Sequence, residues 1–332
     1  MRAMVLEKPT PAEQTPLRLA QVPDPQPGPG EIRVRIRCCG VCHTDLHIVE
    51  GDLALPKIPV VPGHQIVGVV DARGADVRTF KEGDRVGIPW LFSTDGTCDF
   101  CQQDEENLCE QAKFTGYHVN GGYADVCVVR EDFAHRLPAA FSDENAAPLL
   151  CAGVIGYRAY RLSGVKTSQR LGLYGFGASA HLVLQLALHR GCRVHVFTRS
   201  VNHRNSAREL GAAWVGSAED TPAHLMDASI IFAPAGALVP LALRNLRKAG
   251  TLTLAGITMT QIPAFDYSLL YHERSICSVA NSTRRDCREF LEIAAEIPIV
   301  TQVRPYSLSH ANVALLDLKH SRIDGAAVLR IE

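Results

Sequence analysis

The sequence predicts an α/β chain in two parts, an irregular β-rich part followed by a doubly wound parallel sheet. Three observations carry that expectation. Short apolar stretches broken by Gly and Pro fill roughly the first 140 residues, and strand-like and helix-like segments alternate after Cys151. The composition, 46% hydrophobic and 21% charged over 332 residues, suits a globular chain long enough for two domains.

The elements follow in order. Residues 31 to 37 read Glu-Ile-Arg-Val-Arg-Ile-Arg, and Ile32, Val34 and Ile36 alternate with charged neighbours, the period of a half-buried strand. Pro23, Pro25, Pro27, Gly28, Pro29 and Gly30 lead into it. Further strands are expected over 66–70, after Pro62-Gly63, and over 85–88 and 123–129. Beyond Cys151 the rhythm changes. A strand over 171–174 runs into Gly175-Phe-Gly177-Ala-Ser-Ala180 and a helix through Leu188. A strand over 193–198, a helix over 202–210 closed by Gly211, a strand over 229–232, a helix over 238–248 and a strand over 251–255 continue the alternation. That order is expected of a parallel sheet with helices on both faces. The remaining residues hold a helix over 286–295 and short strands, expected to return to the first part.

Charge and composition exclude several functions. The formal net charge is −1, from 34 basic and 35 acidic side chains, and no like-charge block suggests a nucleic-acid partner. The opening apolar stretch is broken by Glu7, Lys8 and Pro9, so no signal peptide is expected, and no apolar run reaches the length of a membrane span. The expected location is the cytoplasm. There, disulfides are not expected among the eleven cysteines, so clustered ones point to metal or catalysis. Cys192, Cys277 and Cys287 have no partner pattern and read as ordinary small residues.

The densest chemistry is Gly40-Val-Cys42-His43-Thr44-Asp45-Leu-His47, with Pro62-Gly63-His64-Gln65 and Leu149-Leu150-Cys151-Ala-Gly153. Thiolate and imidazole suit zinc, and a catalytic zinc keeps three protein ligands and one open position. Cys42, His64 and Cys151 could supply them. Singly, each would read as a buried cysteine or a satisfied core histidine. Gly175-x-Gly177-x-x-Ala180, between a strand and a helix, fits a dinucleotide-binding turn. Its first glycine allows the tight turn, the second admits the pyrophosphate, and Ala180 permits close packing.

These motifs, with Gly51-Asp52 after the first cluster, resemble the zinc-containing medium-chain alcohol dehydrogenases over essentially the whole chain. The resemblance implies a GroES-like catalytic domain over 1–150, completed by 280–332, and a Rossmann NAD(P)-binding domain over 151–279. It assigns Cys42, His64 and Cys151 to the catalytic zinc. It implies a proton relay from Thr44 through the cofactor ribose to His47. Asp45 would hold the His64 ligand in place, and His43 would lie near the cofactor pyrophosphate. Gln65 departs from the pattern, which usually has Glu after the histidine ligand. An intact zinc site with altered electrostatics is expected.

Many relatives carry four cysteines around a structural zinc where this chain has Asp95, Cys98, Cys101 and Cys109. Asp can ligate zinc through oxygen, so an Asp-Cys₃ site is expected, the alternative being three free thiols. NAD-specific relatives end the second strand of the nucleotide domain with an acid. Here Thr198-Arg199-Ser200 could instead meet a 2′-phosphate, which favours NADP(H) over NAD. Ala233 is expected to line the adenosine side, and Ile257 and Ala280 the nicotinamide. Leu53 and Trp90 are expected in a substrate pocket suited to aliphatic or aromatic alcohols and aldehydes, unless they are plain core. By analogy with the family, a homodimer or homotetramer is expected. The expected function is hydride transfer between NAD(P)(H) and a primary or aromatic alcohol or aldehyde. The alternative is a low-activity zinc- and nucleotide-binding protein of the same fold.

Overall fold

In the computed structural model, which describes residues 1–331, the alternating segment becomes the strand Glu31–Val41, central to a seven-stranded sheet. Ile32, Val34 and Ile36 are buried, so the sequence period matches one covered face. The strand Ile66–Arg73 pairs antiparallel along one edge of it. Val126–Arg130 pairs beside its first half, and Ala326–Arg330 beside Cys38 to Val41. The sheet also takes in Arg85–Ile88, His135–Arg136 and Val303–Ser307.

This part is less purely β than the sequence suggests. A helix, His43–Glu50, starts directly after the central strand, and a second, Ala311–Lys319, lies near the end of the chain. The strand expected over 123–129 begins only at Val126. Tyr123 is engaged elsewhere: its carbonyl accepts the Met4 amide at 2.8 Å, tying it to an N-terminal hairpin of Arg2–Leu6 and Leu17–Gln21.

A second sheet has six parallel strands among the described residues, in the order Trp214–Gly216, Arg193–Phe197, Arg170–Tyr174, Met226–Ile231, Leu246–Leu254 and Ser275–Ser278. The chain starts in the middle, works to one edge, then crosses to the other, the doubly wound Rossmann order. Helices Ala152–Ser163, Ala178–His189, Val201–Glu209 and Leu238–Arg244 connect with it. The helix expected over 238–248 stops at Arg244. Leu246 to Lys248 join the next strand instead, because Leu246 is buried and pairs with Met226, whose amide donates to the Asn245 carbonyl at 2.7 Å. Tertiary pairing overrides the local helix propensity there.

Beyond the strand ends, backbone bonds form a staircase along the C-terminal edge of this sheet. Thr198 N donates to Gly216 O at 2.8 Å. Gly175 N to Phe197 O, Phe232 N to Tyr174 O, Ala255 N to Ile231 O and Val279 N to Leu254 O follow, each at 2.9 Å. The first residues after five strands are thus set side by side.

The chain divides into two compact units. One comprises Met1–Cys151, Thr283–Glu296 and the residues from Thr301 onward; the other comprises Ala152–Ser282 and Ile297–Val300. Among the described residues, no helix is long and apolar enough to cross a membrane.

Candidate functional site

The end of the central strand builds the first cluster. Cys42 is extended and caps the His43–Glu50 helix, its Sγ accepting the Thr44 amide at 3.3 Å. Asp45, fully buried on the first turn, returns the cap: its Oδ2 accepts the Cys42 amide at 3.0 Å. The other oxygen of Asp45 accepts from Gly63 N and from His64 Nδ1, each at 3.1 Å. With Nδ1–H committed to Asp45, Nε2 of His64 is left as the ligating nitrogen. It lies 3.2 Å from Cys42 Sγ, which lies 4.0 Å from Cys151 Sγ.

These separations fit a tetrahedral zinc. Zn–S bonds near 2.3 Å place two sulfurs about 3.8 Å apart, and a sulfur and an imidazole nitrogen about 3.6 Å apart. The Cys42 thiol is raised well above its usual range by its hydrogen bond with Cys151 and by burial. A divalent cation among these donors offsets both effects. Beside the cluster, Gln65 is buried against Gly40, where any Cβ would come within 2.6 Å of Gln65 Oε1. Gly63 has φ +100°, and a Cβ there would strike the Tyr123 ring.

The wall next to His64 is aromatic. Trp90 meets the His64 ring edge-on at 4.8 Å, Phe114 stacks on Trp90 at 5.2 Å, and Tyr117 tilts against it at 5.8 Å. Tyr117 also donates its hydroxyl to Ala54 O at 2.6 Å, fastening this wall to the loop that carries half-buried Leu53. On the helix, Thr44 is half-buried, His43 is exposed, and His47 Nδ1 lies 2.7 Å from Asp52 Oδ2.

In the same unit, Asp95, Cys98, Cys101 and Cys109 bring one ligand atom each to within 4.8 Å of one another. Asp95 Oδ1 accepts the amides of Thr97 at 2.8 Å and Cys98 at 3.0 Å. Those amides, Cys98 first, hold its carboxyl far below the usual range, so it stays anionic and keeps an oxygen for a cation. Buried Glu106, between Cys101 and Cys109, anchors the loop by accepting Arg284 N at 3.0 Å and Nε at 3.2 Å.

The nucleotide motif lies on the staircase edge of the second unit. Gly175 has φ +86°, and its missing Cβ would sit 3.1 Å from Ala233, so only glycine turns there without strain. Gly177 caps the Ala178–His189 helix, and a Cβ on it would meet nothing within 4 Å. Ala180 is fully buried where helix and sheet touch. At the next strand end Thr198 is buried and Arg199 exposed. Ser200 Oγ caps the Val201–Glu209 helix by accepting the His203 amide at 3.3 Å. Arg204 Nε donates to Thr198 O at 2.8 Å, so a second guanidinium joins Arg199 at this strand end. Ile257 is 53% exposed, and Ala280 is exposed as well.

Comparison with known proteins fits this geometry. Residues 28–139 match the alcohol dehydrogenase GroES-like domain, and residues 180–296 the zinc-binding dehydrogenase domain. A Mycobacterium tuberculosis protein described as a probable alcohol dehydrogenase is 45% identical over 337 residues, covering 100% of this chain and 97% of its own. The chain belongs to the zinc-dependent medium-chain alcohol dehydrogenases. An alcohol dehydrogenase of Geobacillus stearothermophilus is 35% identical to this dehydrogenase, with 100% of both chains covered. A solved cinnamyl alcohol dehydrogenase from Sorghum bicolor superposes with a TM-score of 0.89 at 27% identity, covering 99% of this chain and 97% of its own.

Within this dehydrogenase, the structure brings together Cys42, His64 and Cys151, and separately Asp95, Cys98, Cys101 and Cys109. Phe114, Tyr117 and Arg204 are not legible in the sequence as site residues. Asp52 stands in the sequence as part of Gly51-Asp52, but its pairing with His47, five positions back and past the end of the helix, appears only in the structure. Phe114 and Tyr117 look like ordinary core, and Arg204 like a solvated helix face.

Proposed function

We propose that this dehydrogenase interconverts a primary aliphatic or aromatic alcohol and its aldehyde, with NADP(H) as the preferred nucleotide. The observation that carries the reading is the lock on His64. Asp45, buried and bonded to three donors, presents His64 Nε2 to the same point as two thiols. Bound there, zinc would polarise a substrate oxygen while a nicotinamide exchanged the hydride. The residues around that point have their own tasks. Thr44, at the start of the helix, offers a hydroxyl to pass on the alcohol proton. His47, one turn later, can hold that proton at Nε2 because Asp52 fixes Nδ1. Trp90, Leu53, Phe114 and Tyr117 provide an apolar wall that excludes water and gives polyols no partners.

The metal chemistry belongs on this reading to the first unit, with Asp95, Cys98, Cys101 and Cys109 holding a second, structural zinc. The nucleotide belongs to the second unit. Gly175, Gly177 and the helix start behind them take the pyrophosphate, and His43 of the first unit is assigned to that group by the family resemblance alone. Arg199 and Ser200, with Arg204, take a 2′-phosphate; Ala233 lines the adenosine side; Ile257 and Ala280 line the nicotinamide. The outer strand Ser275–Ser278 is an open edge near Tyr267 and Tyr271, 69% and 57% exposed, which supports a homodimer or homotetramer. All eleven cysteines are free, which supports the cytoplasm. The near-neutral charge, −1 with no like-charge block, gives this reading no reason to include a nucleic acid, and no helix among the described residues is long and apolar enough to cross a membrane.

The test is zinc per chain in wild type and Cys42→Ser, beside oxidation of NADPH and NADH with benzaldehyde and butanal. The variant is expected to lose about one zinc and nearly all turnover, and NADPH to be the faster nucleotide in wild type. Full zinc without turnover in wild type would favour the second reading, a binding protein, for which neutral Gln65 beside the cluster is the specific observation.

A further inference from the structure

We infer that Asn281 is a nicotinamide-binding residue of this dehydrogenase, its side-chain amide donating a hydrogen bond to the carboxamide oxygen. The inference rests on the nucleotide reading above. Asn281 follows the last strand of the second sheet. Its Nδ2 is sealed from solvent and has no hydrogen-bond partner among the described residues. A buried amide donor left unpaired is costly, and sites of that kind are filled by a ligand or an ordered water.

The position is not a loose one. Two residues earlier, the Val279 amide donates to Leu254 O at 2.9 Å, the last step of the staircase. Two residues later, Thr283 is locked to buried Asp286: Asp286 Oδ2 accepts Thr283 N at 2.9 Å and Oγ1 at 2.8 Å. Asn281 itself has φ 58°, in the left-handed region that asparagine tolerates better than other side-chain-bearing residues. The backbone is therefore fixed on both sides of a residue whose amide has nothing to bind.

The direction of the bound nucleotide selects the ligand atom. With the 2′-phosphate at Arg199, the adenosine end lies at the strand Arg193–Phe197. Four inter-strand steps separate that strand from Ser275–Ser278, about 19 Å at the usual spacing. A nucleotide extended along the C-terminal edge therefore brings its nicotinamide end toward the exit of the last strand. The acceptor found at that end is a neutral carboxamide oxygen, and the free donor there is a neutral amide. Holding that oxygen fixes the rotation of the ring, and hence which face exchanges the hydride.

The test compares NADPH with 2′-phospho-ADP-ribose, which lacks the nicotinamide, by titration calorimetry of wild type, Asn281→Asp and Asn281→Gly. Aspartate keeps the shape without the donor; glycine removes the side chain and relaxes the left-handed backbone. Both variants are expected to bind NADPH about three- to tenfold more weakly, with 2′-phospho-ADP-ribose unchanged. Unaltered NADPH binding in Asn281→Gly, or equal weakening of both ligands, overturns the assignment. A wild type that binds neither ligand overturns the nucleotide reading itself; one that binds 2′-phospho-ADP-ribose keeps that reading standing whatever Asn281 does.

Discussion

At the residue scale, one carboxylate organises the metal cluster. Asp45 ends its hydrogen bonds on a cysteine backbone, a glycine backbone and an imidazole, so the helix start, the Pro62-Gly63 turn and the tautomer of His64 are set together. Replacing Asp45 with Asn keeps the size but forces an amide N–H toward one of three donors. Zinc affinity of the Asp45→Asn variant is expected to fall about 10- to 100-fold. Competition with a chromophoric chelator measures it, and unaltered affinity would show that Cys42 and Cys151 alone position the metal. Cys42, His64 and Asp45 were legible because they stand in short runs with glycine and proline at fixed offsets. Cys151 was weaker in the sequence: only the fold brings it within 4.0 Å of Cys42. Asn281 gave no signal, because a donor becomes conspicuous only when its surroundings are seen to lack an acceptor.

At the element scale, the two motif glycines behave differently. Gly175 is demanded by the fold, through its positive φ and the approach of Ala233; Gly177 has an ordinary φ of −93° and open space where a side chain would go. Gly177→Val is therefore expected to leave the thermal midpoint of the nucleotide-free protein nearly unchanged while weakening NADPH binding at least about tenfold. Calorimetry and a binding titration check both halves, and a destabilised variant with normal binding would mean that Gly177 serves packing instead. The alternation of strands and helices was legible here because parallel strands are short apolar runs between helices of ordinary length. The end of the Leu238–Arg244 helix was not, since Leu246 to Lys248 suit a helix and only pairing with Met226 makes them strand. The helix His43–Glu50 is hidden for the opposite reason: the same Cys42 and Asp45 that look like metal chemistry in the sequence are also its cap.

At the scale of the whole molecule, the two units have separate cores. One is built on Ile32, Val34, Ile66 and Tyr123, the other on Leu171, Leu173, Val194 and Ile230. Calorimetry is expected to resolve two transitions. Chelation should lower the one assigned by hydrogen exchange to residues 1–151, and NADPH at a hundred times its dissociation constant should raise the other by about 2.7 kcal/mol. A single transition moved by both treatments would mean that the units unfold as one.

The pairing of Ala326–Arg330 with Cys38 to Val41 has a consequence for biosynthesis. The strand leading to Cys42 leaves the ribosome early, yet its edge stays uncovered until residues 326–330 have been translated. Residues 152–282 contain every strand of the parallel sheet and can close their own core first. The second unit can therefore close before the first sheet receives its last strand to be made. Until the chain is nearly finished, the stretch that carries Cys38 and Cys39 and leads to Cys42 keeps one edge unpaired, and an unpaired edge is open to wrong pairing.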